Sequence, residues 1–284
     1  MLRSLTLAAL LCARGFAQAP SPVKLPDAFS GEFNIHYDKH PETVLDVYQP
    51  KSKAKGKRPG VIVIHGGGWT GGTKEAVFSG FCLPYLEKGF VVANVEYRLA
   101  KAAKAPAAVE DSLNAAQWFF KNAGKYKVDK RRVIVTGGSA GGHLSLMVGL
   151  TPKTANLGKP AKVAAVVNFY GITDVGDQLQ GVNMRSYAVQ WIPEQPGRFD
   201  LAKRVSPMTY VRKNAPPILT LHGDSDKTVP YEHGTAITKA LKDAGAEATL
   251  LTVPGGGHGF PPAKMSELYI QIFDFLERHG VIRK

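Results

Sequence analysis

The chain has 284 residues, 44% of them hydrophobic, with two cysteines and a formal net charge of +13. That apolar content suffices to bury a core and excludes a disordered polymer, and two cysteines exclude a disulfide-stapled scaffold. The positive excess favours acidic surfaces in general, but no nucleic-acid motif accompanies it, so nucleic acid is not an expected partner.

The first element in chain order is a leader. "MLRSLTLAALLCARGFAQAP" combines Arg3, an apolar run over 5–13 and small residues at Gly15, Ala17 and Ala19, the layout of a secretory signal. The run is too short to span a bilayer. Cleavage after Ala17 is favoured over cleavage after Ala19, because Pro20 would directly follow the later cut. The expectation is a signal peptide over 1–17, a secreted or periplasmic mature protein without a transmembrane segment, and one domain over 18–284. Cleavage also removes Cys12, which leaves Cys82 with no disulfide partner. Cys82 sits in "FCLPYL" and reads as a buried structural thiol.

Beyond the leader, apolar β-rich runs alternate with segments of helical period, an order that argues for a mostly parallel sheet covered by helices on both faces. The expected strands are "VLDVYQ", "VIVI" at Val61, "VVANVEY", "VIVT" at Val133, "VAAVVNFY", "ILTLH" and "TLLTV". The lysine-rich "KSKAKGKRPG" between the first two reads as a solvated loop. Val109, Leu113, Ala116 and Phe120 share one helical face. Ile237, Ala240, Leu241 and Ala244 repeat the pattern and stop at Gly245, and Leu268, Ile272 and Phe275 mark a last helix closed by Gly280. Residues 174–211, containing "RSYAVQWIPEQPGRFD", are the least regular stretch, suited to a small cap over the sheet edge or to a connecting loop with one or two helices.

The chemistry gathers around "VIVTGGSAGG". A strand that turns abruptly into a helix strains its turn residue and crowds the neighbours on either side, unless these lack a Cβ. Gly137 and Gly141 supply that room, so G-x-S-x-G presents Ser139 at the tip of an elbow facing the first free N–H groups of a helix. A serine hydroxyl needs a base to accept its proton. Among eight histidines, His258 in "VPGGGHGF" follows the last strand on a glycine-bounded loop that can deliver an imidazole to the sheet edge. His143, on the helix that carries the serine, is expected along the helix flank. The acid belongs after a strand between serine and histidine, and "ILTLHGDSDKTVP" offers Asp224 and Asp226, which the residues alone do not separate. In "VIVIHGGGW" a strand ends at His65 and three glycines let backbone N–H groups turn inward, making Gly67 and Gly68, with Ala140 after the nucleophile, candidate oxyanion donors.

Together these motifs resemble the α/β-hydrolase family, and within it the HGGGW-type esterase branch of hormone-sensitive-lipase-like and bacterial acetyl-xylan or feruloyl esterase-like proteins. The similarity runs from about Val44 onward, through "HGGGWTGGTKE", "VEYRLA", "VEDSLNAAQWFFKNA", "GGSAGGHLS", "NFYGITD", "RVSPMTYV" and "LHGDSDKTVP". The resemblance places the acid of the pattern H-G-x-x-D-x-x-V-P at Asp226 and implies the α/β-hydrolase fold. The expected activity is that of a serine carboxylesterase acting through an acyl-enzyme on short-chain acyl esters, extending to acetyl or feruloyl groups on carbohydrates. Neither a cofactor nor a metal is expected. The same triad can cut amides, as in peptidases or arylformamidase-like enzymes. A non-catalytic binding protein of this fold would be expected to lack a triad member.

Overall fold

Alternation along one strand sets the architecture. In β3 (Arg58–Ile64), Ile62 and Ile64 enter one apolar layer while Val61 and Val63 enter another. Successive strand side chains face opposite ways, so a run such as "VIVI" stays dry only if both faces of the sheet are covered. The computed structural model describes residues 23–283, and the expected signal segment, with Cys12, lies outside the described residues.

Eight strands form one sheet: β1 (Phe29–His36), β2 (Val44–Pro50), β3, β4 (Val91–Val95), β5 (Val128–Gly138), β6 (Ala165–Phe169), β7 (Ile218–Gly223) and β8 (Ala248–Val253). Their order is β1-β2-β4-β3-β5-β6-β7-β8. The pairs β1–β2 and β2–β4 are antiparallel and the remainder parallel. Seven of the eight were expected from sequence, and β1 was not. It lies at the edge, half or fully exposed, with an irregularity between Glu32 and Ile35 and Asn34 in a left-handed conformation, so it carries no clean apolar alternation.

On one face pack α2 (Ala107–Asn122), α3 (Ala140–Leu150) and α6 (Glu232–Asp243), and on the other α1 (Leu83–Glu87) and α7 (Pro262–Arg278). Every residue of α3 is buried, which matches a segment apolar on all sides. In α2 the expected face holds through Val109, Leu113 and Ala116. The next fully buried ring is then Phe119, with Phe120 only half-buried against the core. Leu268, Ile272 and Phe275 of α7 are buried and Gly280 follows in a left-handed conformation. Residues 51–57 are exposed between β2 and β3, and Cys82 is a buried free thiol whose burial pushes its pKa well up.

Residues 174–211 hold α4 (Ser186–Trp191), α5 (Arg198–Arg204) and three short 3-10 turns. Leu179, Ala188, Trp191, Ala202 and Val205 bury into the α2–α3 side of the core, so the segment is packed onto the domain rather than draped over it. Because the strands from β3 to β8 run parallel, the loops after β3, β5, β6, β7 and β8 all leave the same edge of the sheet, where a parallel sheet places its site.

Candidate active site

Ser139 stands between β5 and α3 at φ 58°, ψ −123°, a strained conformation for a residue with a side chain. The flanking glycines are required by contact. A Cβ on Gly137 would lie 2.3 Å from the carbonyl oxygen of Ile64, and one on Gly141 2.1 Å from the same oxygen. The elbow is therefore wedged against the end of β3, and the freedom of "GGSAGG" serves close approach as well as the turn.

The line of hydrogen bonds expected from Ser139 is present. Ser139 Oγ–H donates to His258 Nε2 at 2.9 Å, and His258 Nδ1–H donates to Asp226 Oδ2 at 2.7 Å. The other oxygen of Asp226 accepts the N–H groups of Thr228 at 2.8 Å and Val229 at 3.0 Å. Burial by itself raises the Asp226 pKa, but hydrogen bonds from His222 and His258, the His258 charge and the Thr228 N–H outweigh it and hold the carboxyl well below the usual range. Asp224 is exposed and turns away, accepting the Gly255 N–H at 2.7 Å.

The HGGGW loop faces this line across a cleft of about 440 Å³ whose walls include Gly67, Gly68, Ser139 and His258. Gly67 at φ +110° and Gly68 at φ +59° hold conformations that side chains rarely adopt, and a Cβ on Gly67 would meet the Gly71 carbonyl oxygen at 2.1 Å. Ala140 is the first residue of α3, so its N–H has no intrahelical acceptor. His65 Nε2 lies 2.9 Å from Glu96 Oε1, and the second Glu96 oxygen accepts the Lys74 N–H at 3.0 Å. Arg98 forks onto the buried Asp111 through Nε and Nη2 at 2.7–3.1 Å. The "TKE", "VEYRLA" and "VED" stretches thus brace the loop and the end of β4, and of them only Thr73 lines the cleft.

Four aromatic and polar contacts were not legible in the sequence. Tyr187 of α4 lies over Gly68, where a Cβ would come 2.6 Å from its ring. One turn on, Trp191 stacks on Trp69 at 4.1 Å with the planes 14° apart. His143 is not on the helix flank but fully buried between these rings. It accepts the Trp69 Nε1–H at 3.1 Å and donates to the Val205 carbonyl at 2.6 Å, and burial lowers its pKa to about 4. Tyr170, after β6, lines the cleft with its ring centre 4.8 Å from that of His258. Its place at a strand's C-terminal end was the one sequence signal available for any of them.

No cluster of three or more His, Cys, Asp or Glu side chains suited to a metal ion occurs among the described residues, and no helix among them is long and apolar enough to cross a membrane.

A family model described as BD-FAE matches residues 45–241. Esterase LipC of Mycobacterium tuberculosis is 30% identical over 240 residues, 80% of this chain and 59% of LipC. The chain spans between half and two thirds of the length of curated relatives such as LipC. Among solved structures, a truncated carbohydrate esterase from gut microbiota superposes with a TM-score of 0.81 at 28% identity, covering 92% of this chain and 100% of that one. A bifunctional GH43-CE protein of Bacteroides eggerthii superposes at 0.76 with 30% identity, covering 90% of this chain and 36% of that one.

Proposed function

The chain belongs to the BD-FAE family, within the esterase branch of the α/β-hydrolases, and from that premise we propose that it is a serine carboxylesterase acting on short-chain acyl esters, with acetyl or feruloyl groups on carbohydrates as its substrate class. The observation that carries this reading is the unbroken line from Ser139 through His258 to Asp226, set on a strained elbow at the wall of an open cleft.

The chemistry follows from the geometry. Ser139 Oγ attacks the ester carbonyl while His258 Nε2 takes its proton, and Asp226 holds the imidazole in the required tautomer and supports its cation. The carbonyl oxygen, now negative, is received by the N–H groups of Gly67, Gly68 and Ala140. Collapse expels the alcohol, which takes the proton from His258 and leaves an acyl group on Ser139. Water then attacks by the same steps, releasing the acid and restoring the serine. Export belongs to the same proposal, supported by the leader over 1–17, and N-terminal sequencing of secreted protein showing an intact Met1 would count against it.

The test is turnover by the purified protein of p-nitrophenyl acetate, a chromogenic anilide and N-formylkynurenine. Ester hydrolysis well above the two amides is the expected result. Faster cleavage of either amide would move the activity to amide hydrolysis, and no turnover of any of them would leave a binding protein.

A further inference from the structure

Tyr170 occupies an unusual position for a tyrosine. Its backbone is left-handed at φ +39°, a costly conformation for an aromatic residue, fixed by the bond from its N–H to the Leu221 carbonyl at 2.8 Å. The strained turn sends the ring into the cleft, against His258 on one side and Phe260 at 5.4 Å on another. Its hydroxyl reaches the residue before the nucleophile, where a Cβ on Gly138 would come within 3.0 Å of it. Among the described residues this hydroxyl has no hydrogen-bond partner; the residue is 8% exposed, and the hydroxyl keeps access to the cleft. Burial, and next the Asp226 charge, push its pKa up to about 12, so it stays protonated and can donate.

A hydroxyl shut off from water without a partner is costly, and the cleft it opens on has an apolar stretch of wall in Ala76, Val77 and Phe81, alongside Thr73 and Thr228. An ester of a plain alkyl alcohol would seal the hydroxyl away from water and leave it unsatisfied. An ester whose alcohol carries a second hydroxyl beside the ester oxygen would satisfy it. His258 returns its proton to the leaving oxygen, and the Tyr170 ring packs on His258, so Tyr170 stands beside the group that serves the leaving alcohol.

Resting on the esterase reading above, we propose that Tyr170 determines specificity, its hydroxyl binding a hydroxyl adjacent to the ester oxygen of the alcohol and so selecting polyol and sugar esters over simple alkyl esters. The covalent steps are unchanged, and Tyr170 contributes one neutral hydrogen bond to the alcohol.

A matched pair of acetates tests this: cyclohexyl acetate and the monoacetate of trans-1,2-cyclohexanediol, which differ by one hydroxyl beside the ester. The wild-type protein should prefer the diol monoacetate by about three- to tenfold in kcat/KM, the reach of one neutral hydrogen bond. Tyr170→Phe should bring the ratio of the two kcat/KM values close to one, the diol monoacetate losing more than cyclohexyl acetate, with an unchanged thermal midpoint because the hydroxyl has no protein partner. A preference that survives in Tyr170→Phe, an equal loss on both esters, a lowered thermal midpoint, or turnover of both esters without preference in the wild type would each overturn the assignment. Absence of any turnover by the wild type would overturn the esterase reading itself and the assignment with it.

Discussion

Asp226 and Asp224, two residues apart beyond the end of β7, face different partners: Asp226 Oδ2 lies 2.7 Å from His258 Nδ1, whereas Asp224 Oδ1 lies 2.7 Å from the Gly255 N–H. One aligns an imidazole and the other pins a turn. Asp226→Asn should therefore lower kcat on p-nitrophenyl acetate by about 10⁴, the effect of the equivalent change in a serine-protease triad. Asp224→Asn should keep most of the activity. Circular dichroism would establish that both variants are folded, and the reverse order of losses would move the acid to Asp224.

The elbow glycines make a prediction about stability. A Cβ at Gly141 would sit 2.1 Å from a backbone oxygen, which cannot give way as a flexible side chain can. Gly141→Ala should cost about 3 kcal/mol or more in urea unfolding, the upper range for overpacking. Gly80→Ala, within the helical turn Phe78–Cys82 and with nothing within 4 Å, is the control and should be neutral or stabilising by up to about 1 kcal/mol. Equal effects of the two substitutions would contradict the wedged elbow.

His143 links stability to pH. Its folded pKa of about 4 lies below the ordinary 6.5 because burial disfavours its charged form. The unfolded chain takes up this proton as the pH falls through 6.5, and the folded protein refuses it until about 4. The stabilisation is therefore complete above 6.5 and is lost progressively down to about 4. Replacing the ring with a neutral amide removes this dependence. The stability gap between wild type and His143→Gln should narrow by about 2 kcal/mol between pH 7 and pH 5 in urea titrations. A constant gap would show that His143 takes up its proton equally in the folded and unfolded chain, and a widening gap that the folded protein holds it protonated.

Much of the site was legible because each of its motifs follows a strand and carries glycine for a physical reason. Gly137 and Gly141 clear the Ile64 carbonyl oxygen, Gly67 and Gly68 hold positive φ, and the chain order of serine, acid and histidine follows the strand order. The aspartates were not separable from the residues alone. They lie past Gly223, the last residue of β7, in a turn where strand alternation no longer says which way a side chain points. The resemblance to known esterases pointed to Asp226, whose Oδ2 lies 2.7 Å from His258 Nδ1. The packing of Trp69 on Trp191 and of Tyr187 on Gly68 depends on where residues 174–211 settle, and their irregular sequence carries no period from which to read that. The edge strand β1 escaped for the opposite reason: it has too little buried surface to impose a pattern.

Substrate size forms a further prediction. The cleft of about 440 Å³ is walled by the rings of Phe81, Tyr170 and Tyr187, and residues 174–211 contain no long apolar tract to line a tunnel beyond them. Across p-nitrophenyl esters, kcat/KM should be highest for acetate or butyrate and fall steeply by decanoate. A maximum at decanoate would overturn the preference for short acyl groups.

The central claim is that Ser139 is the nucleophile, and a stoichiometric organophosphate titration tests it most directly. Diethyl p-nitrophenyl phosphate should release one p-nitrophenolate per chain and leave one diethylphosphoryl group, located by peptide mass spectrometry on Ser139, with esterase activity lost in proportion. Ser139→Ala should take up none and release none. Labelling of any other residue, or esterase activity surviving in Ser139→Ala, would contradict the assignment.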